Sequence, residues 1–189
     1  MPFRYIPSRQ RLINLDSNIP NADYDIYTDG SRIVNETGFA VRIHKDETNI
    51  QKHLFKLNTF NSVFQSELAA IEFAANWAVK EKVKVNVHTD SPSLISAINS
   101  ANTRSEFVNK LKPNIFKAKN VGGISWVKAQ VGIPGNEMAD QQAKLAITSS
   151  EELFIPAPYS YLKYLLKNYI VKKNVTNIGI AVIQPQELG

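Results

Sequence analysis

The 189-residue sequence predicts an α/β fold: a five-stranded mixed sheet, part antiparallel meander and part parallel strands, flanked by helices. Three observations lead there. β-branched and aromatic residues gather in three early segments separated by short polar stretches, the pattern of an antiparallel meander. Strand-like and helix-like segments then alternate, as they do where helices cross over between strands of one sheet. A hydrophobic content of 43% is enough to fill a core between those layers.

YDIYTDGS, 24–31, is the first strand, with Gly30 ending it in a turn. GFAVRIHK, 38–45, and IQKHLFKLN, 50–58, are the second and third strands, with a polar hairpin loop between them. NSVFQSELAAIEFAANWAVKEK, 61–82, is a helix. Ser62 with Gln65 forms a capping box, and Leu68, Ile71, Ala75, Ala78 and Val79 recur at helical spacing. Lys80 and Lys82 suit the negative end of its dipole. VKVNVHTD, 83–90, alternates valines as a fourth strand. Ser91 and Pro92 then suit the N-cap and first position of a short helix through about Asn99. A further helix runs from Ser105 to about Lys119, kinked or broken near Pro113. ISWVKAQ, 124–130, is the fifth strand, and Asn136 caps a helix through about Ile147. Residues 1–20, with Arg4, Arg9 and Arg11 among prolines, read as a leader or linker before a domain at 21–150. Residues 151–189 read as an extension, an amphipathic helix followed by a tail.

Composition narrows the chemistry. The chain has no cysteine, which excludes disulfides, thiolate metal sites and thiol nucleophiles. No apolar run approaches the roughly 20 residues that span a bilayer, and a signal-peptide pattern is missing, so an intracellular setting, cytoplasmic or nuclear, is expected, without a membrane partner. The net charge of +5 is compatible with a polyanionic partner. Charge and composition leave the oligomeric state open.

Four acids occupy positions the folding pattern does not require. Asp29 ends the first strand, Glu67 lies in the second turn of the first long helix, Asp90 ends the fourth strand, and Asp140 sits just inside the last helix of the domain. Any one alone reads more readily as a solvated or capping residue. Together, at strand exits and helix starts, they fall where ligands gather in open α/β sheets. Converging carboxylates repel one another, so the arrangement makes sense around hard divalent cations, which prefer oxygen ligands. Two such ions about 4 Å apart serve phosphodiester hydrolysis.

The set TDGS (28–31), SEL (66–68), TDS (89–91) and GNEMAD (135–140) resembles type 1 ribonuclease H over about residues 24–148. The absence of a lysine- and tryptophan-rich protrusion, and the sequence PAPYSYL after the domain, resemble most the ribonuclease H domain of non-LTR retrotransposon polyproteins. The resemblance implies the ribonuclease H-like fold and endonucleolytic hydrolysis of the RNA strand of RNA/DNA hybrids, giving 5′-phosphate products. It implies two Mg²⁺ ions per site, with Mn²⁺ as a substitute. Asp29 would bridge both ions, Asp140 would share the ion that activates water, and Glu67 and Asp90 would help hold the other. A reverse transcriptase domain of the same polyprotein is the implied protein partner.

At Gln130 the family usually carries a histidine. Glutamine hydrogen-bonds but does not titrate near neutral pH, so a slowed enzyme is expected. Of the three histidines, His88 shares strand parity with Asp90, while His44 and His53 read as strand-surface residues. Gly30, Ser31, Gln65 and Ser66 are candidate nucleic-acid contacts, and Ser62 either caps its helix or reaches a phosphate. Lys110 and Lys117, with Lys112 and Lys119, form either a solvated helix face or a phosphate-tracking surface. Two other functions stay in view: a duplex- or hybrid-binding module with little turnover, and a scaffold domain of a polyprotein.

Overall fold

The computed structural model describes residues 18–100, 103, 105–121, 124–128, 132–149 and 151–182. Strands β1 (Tyr24–Ile33), β2 (Glu36–Lys45) and β3 (Thr48–Leu57) form the antiparallel meander. The hairpin between β2 and β3 is tighter than the polar stretch suggested. It turns on Asp46 and Glu47 alone, both at positive φ (47° and 63°), the left-handed pair that matches the twist of a two-residue hairpin. β4 (Val85–Thr89) lies parallel to β1, and β5 (Ile124–Lys128) lies parallel to β4. A two-residue strand, β6 (Glu151–Glu152), pairs in parallel with β3, giving the order β5-β4-β1-β2-β3-β6. The five expected strands are therefore present, and β6 adds a short edge that its two glutamates gave no reason to foresee.

β1 does not end at Gly30. It continues through Ile33 in register with β2, Gly30 opposite Phe39, and the chain turns at Val34 (φ 58°) instead. Gly30 is needed for close approach rather than for a turn, as the site below shows.

Helix α1 (Val63–Glu81) starts as expected. Ser62 Oγ accepts from the Gln65 N–H (3.2 Å) and Gln65 Oε1 accepts from the Ser62 N–H (3.2 Å), closing the capping box. Its apolar stripe, Leu68, Ile71, Ala74, Ala75 and Ala78, is buried against Ile26, Phe39, Val41 and Ile43 of the sheet. α2 (Pro92–Asn99) and α3 (Glu106–Val121) complete that side, with Leu94, Ile98, Val108, Leu111 and Ile115 in the same core. α3 runs unbroken through Pro113. Proline removes one helical hydrogen bond, and burial of Val108, Leu111, Ile115 and Ala118 outweighs that loss.

α4 (Pro134–Ser149) packs on β1, β2 and β3. It begins two residues before the expected cap: Pro134 takes the first helical position, and the Ile133 carbonyl accepts from the N–H groups of Asn136 and Glu137. Asn136 is thus inside the first turn.

Backbone proximity divides the chain into two units, Met1–Pro156 and Ala157–Gly189. Residues 151–156 stay with the sheet because β6 pairs with β3, the Leu153 N–H bonds Lys56 O (2.8 Å) and Ile155 is buried. The second unit carries α5 (Tyr159–Val182). It is helical as expected, but its apolar residues do not share a face. At about 100° per residue, Tyr164 and Val171 point roughly opposite to Leu162 and Tyr169, and all four are exposed. No helix among the described residues is long and apolar enough to cross a membrane.

Candidate metal centre

The parallel pairing of β4 beside β1, with Tyr27 opposite His88, sets the end of β4 beside the middle of β1. Asp29 and Asp90, each two residues further on, leave side by side. α1 approaches from the other direction and seats its first turns on Gly30. A side chain at Gly30 would meet Ser66 Oγ at 2.4 Å and the Glu67 N–H nitrogen at 2.8 Å, so only glycine admits the helix this closely. Glu67 is thereby delivered beside Asp29 and the end of β4. Carboxylate oxygens of Asp29, Glu67 and Asp90 lie within 4.8 Å of one another.

Their electrostatics follow from that crowding. Burial pushes the Asp29 carboxyl up to about 7, and the charges of Asp90, Asp140 and Glu67 push the same way against a lowering bond from the Gly30 N–H. Burial also raises Glu67, assisted by Asp90 and opposed by Ser91, whose Oγ donates to Glu67 Oε2 (2.8 Å). Carboxylates held this close are a donor set for a hard divalent cation, which would supply the neutralising charge. All three residues present oxygen only, as such ions require.

Asp140 is not part of the three-acid group. It is close enough for its charge to raise Asp29, but its Oδ2 is 2.7 Å from Lys144 Nζ, one turn along α4. That partner holds the Lys144 ammonium above its usual value. The structure therefore brings three of the four expected acids together and sets the fourth beside them in an ion pair.

A profile of the family described as RNase H matches residues 21–148. The chain belongs to the RNase H family. Solved structures agree on the fold. Prototype foamy virus protease-reverse transcriptase superposes with a TM-score of 0.61 at 19% identity, covering 74% of this chain and 23% of that one. The foamy viral protease-reverse transcriptase in complex with an RNA/DNA hybrid gives 0.60 at 21% identity, covering 71% and 21%. RNase H1 from Halobacterium salinarum NRC-1 gives 0.53 at 16% identity, covering 65% of this chain and 96% of that one. The chain thus spans under a quarter of the foamy virus protein and nearly all of the archaeal RNase H1.

Within this RNase H domain the expected nucleic-acid contacts mostly serve the fold. Gln65 is buried (4% exposed) and donates through Nε2 to Pro156 O (3.0 Å) while its Oε1 caps α1. Asn61 Nδ2 joins it on the same carbonyl (3.3 Å), so this pair fastens the chain where it leaves the first unit. Ser66 is fully buried, its hydroxyl donating to Val63 O, and Ser62 caps α1. Lys112, expected on a basic face, is buried (1% exposed) with its ammonium on Ser100 O. Lys110 and Lys117 are exposed, the former 3.1 Å from Glu106, and Ser31 is half-buried on β1. Gln130 lies outside the described residues. His44, expected on the surface, is buried on the α4 side of the sheet, edge-on to Tyr27, and His53 lies half-buried against Phe73. His88 is buried too, bonded to Asp25.

Sequence reasoning missed two residues that touch the acids. Ser91 was assigned only to capping, although α2 forms without a side-chain cap bond from it. Its place one residue after Asp90 was the available signal. Lys144 stands four residues after Asp140, the spacing at which helical side chains meet.

Proposed function

We propose that the domain is a divalent-cation-dependent endoribonuclease that hydrolyses the RNA strand of RNA/DNA hybrids, leaving 5′-phosphate and 3′-hydroxyl ends. The observation that carries this reading is the meeting of Asp29, Glu67 and Asp90, with Asp29 pushed up to about 7. Asp29 is central to that charge and would be shared by two Mg²⁺ ions, with Glu67 and Asp90 on one and Asp140 on the other. Bound cations would supply Lewis-acid activation of the attacking water and neutralise charge at the leaving 3′ oxygen.

The chain's own residues do the rest. Ser91 donates to Glu67 Oε2, which favours the charged carboxylate and fixes that oxygen in place. Asp140 bonds Lys144 through Oδ2, so the lysine competes with any cation for the charge of that carboxylate. The RNA strand is recognised by the 2′-OH, the feature that separates it from DNA locally. Gln130 cannot carry a proton in place of the family's usual histidine, so turnover is slowed rather than abolished. The foamy virus relative whose structure was solved on an RNA/DNA hybrid supports this substrate class. Work beside a reverse transcriptase domain, in a non-LTR retrotransposon polyprotein acting inside the cell, is the setting we infer.

One observation favours a second reading, a hybrid-binding module with little turnover: Asp140 is engaged by Lys144 instead of joining the other acids. A labelled hybrid incubated with Mg²⁺ or Mn²⁺ separates the two. Cation-dependent cutting that Asp29→Asn abolishes supports the nuclease; tight binding of intact hybrid supports the module.

A further inference from the structure

Behind the acids, on the α4 side of the sheet, lies a second layer that the reaction does not itself use. Asp25, Tyr27 and Asp29 share one face of β1, and His88 of β4 sits opposite Tyr27. The His88 ring stacks on the Tyr27 ring with centroids 4.4 Å apart and planes 18° apart. His88 Nε2 donates to Asp25 Oδ1 at 2.7 Å, and the bond holds the Asp25 carboxyl below its ordinary value. His44 closes the other side of Tyr27, edge-on at 5.0 Å. The tyrosine ring is therefore fixed from two sides.

Its far end meets α4. A methyl group at Gly135 would stand 2.5, 2.6 and 2.7 Å from Cζ, Cε2 and Cε1 of Tyr27, well inside ordinary contact. Gly135 has no positive φ, so the backbone there would accept alanine, a better helix former. The glycine is demanded by the ring, not by the turn. Asp140 follows five residues later on the same rigid helix, about 7.5 Å further along its axis.

We propose that Tyr27, braced by His88 and Asp25, is a positioning residue for Asp140: its ring is the seat on which the first turn of α4 rests, and the depth of that seat sets where the fourth carboxylate stands. The inference rests on the metal-centre reading of the acids. Relieving the clash of an added methyl requires α4 to rise by about 1 Å, whereas ligand positions in a cation site tolerate a few tenths of an ångström. The helix can move as a unit, so the fold survives while Asp140 is carried off its mark.

The test uses the whole chain and Mn²⁺ as the probe, with binding measured by calorimetry and unfolding followed in parallel without cation. Gly135→Ala is expected to weaken Mn²⁺ binding about tenfold, the low end of what a displaced supporting group does to metal affinity. Tyr27→Phe keeps the ring and should bind within about twofold of wild type. The decisive variant is Gly135→Ala combined with Tyr27→Leu, which makes room for the methyl. Recovery of most of the lost affinity supports a steric seat, because a merely destabilising change would add to the first. Wild-type affinity in Gly135→Ala, or no recovery in the double variant, overturns the inference while leaving the metal centre standing. Absence of Mn²⁺ binding by the wild type and by Asp29→Asn alike overturns the metal-centre reading and the inference with it.

Discussion

Replacing Asp29 with asparagine should stabilise the cation-free domain, and the gain should grow with pH. The carboxyl is pushed from 3.8 to about 7, chiefly by burial and then by Asp90. Its folded-state value is raised above the unfolded one, so the folded state binds the proton more tightly. Below about pH 4 both states are protonated and nothing is lost. Between there and about pH 7 the unfolded chain ionises while the folded one resists, and stability falls as pH rises. The shift of about three units at 1.36 kcal/mol each sets a ceiling near 4 kcal/mol above pH 7. Asp29 is not wholly enclosed, so roughly half of that, about 2 kcal/mol, is a reasonable magnitude. For a domain of about 150 residues this is a rise of about 4–8 °C in Tm. Calorimetry of wild type and Asp29→Asn at pH 4.5, 6 and 8 in the presence of a chelator measures it. The difference should be small at pH 4.5, largest at pH 8, and reversed by millimolar Mg²⁺, which only the wild type binds well. An Asp29→Asn domain no more stable than wild type at pH 8 without cation would refute the account of crowded, repelling carboxylates.

Three further outcomes are expected. Ser91→Ala removes the donor to Glu67 Oε2 and should weaken Mn²⁺ binding about ten- to a hundredfold, the worth of one hydrogen bond to a charged group, with little change in Tm. Gln65→Ala opens the capping box and the bond to Pro156 O together, so urea unfolding should show a loss of about 1–2 kcal/mol and limited proteolysis should cut faster near residue 156. Gln130→His should raise turnover on a hybrid substrate, by up to about 10²-fold at neutral pH, and leave the cation concentration for half-maximal rate unchanged; an unchanged or lower turnover would show that a titratable group is not what this site lacks.

The clustered acids were legible in the sequence because each stands at a position whose geometry the sequence controls directly. Asp29 lies within β1 and Asp90 just after β4, strands whose alternation fixes the face of every side chain, and Glu67 follows a capping box that fixes the start of its helix. The proposed nucleic-acid contacts were less legible, for a related reason. Gln65 and Ser66 are polar and close to Glu67, but polarity does not say whether a partner will be solvent, substrate or the chain's own backbone. Gln65 is claimed by Pro156, ninety-one residues away, a contact that no local pattern encodes. Lys112 is the exception, since its burial could have been read. It lies four residues after Val108 and three before Ile115, on the apolar stripe of α3, whereas Lys110 and Lys117 fall off that stripe and are exposed. A charge on such a stripe signals a buried ammonium seeking a carbonyl, and Ser100 O is that carbonyl.

The tension among the acids persists because the backbone gives it no way to relax. Asp29 and Asp90 cannot separate without breaking the parallel pairing of β1 with β4, which extends from Tyr24 opposite Val85 to Tyr27 opposite His88. Glu67 cannot withdraw without lifting α1 from Gly30, and with it the buried stripe of Leu68, Ile71 and Ala75. Burial of those side chains is worth several kcal/mol, more than the repulsion it has to hold. Relief must then come from outside the backbone, by a proton on Asp29 or by a cation among the three. Asp140 differs because a neighbour on its own helix, Lys144, already offers a charge. Its place depends on how deeply α4 is seated, which is why the fold can hold three acids ready and leave the fourth to be brought in.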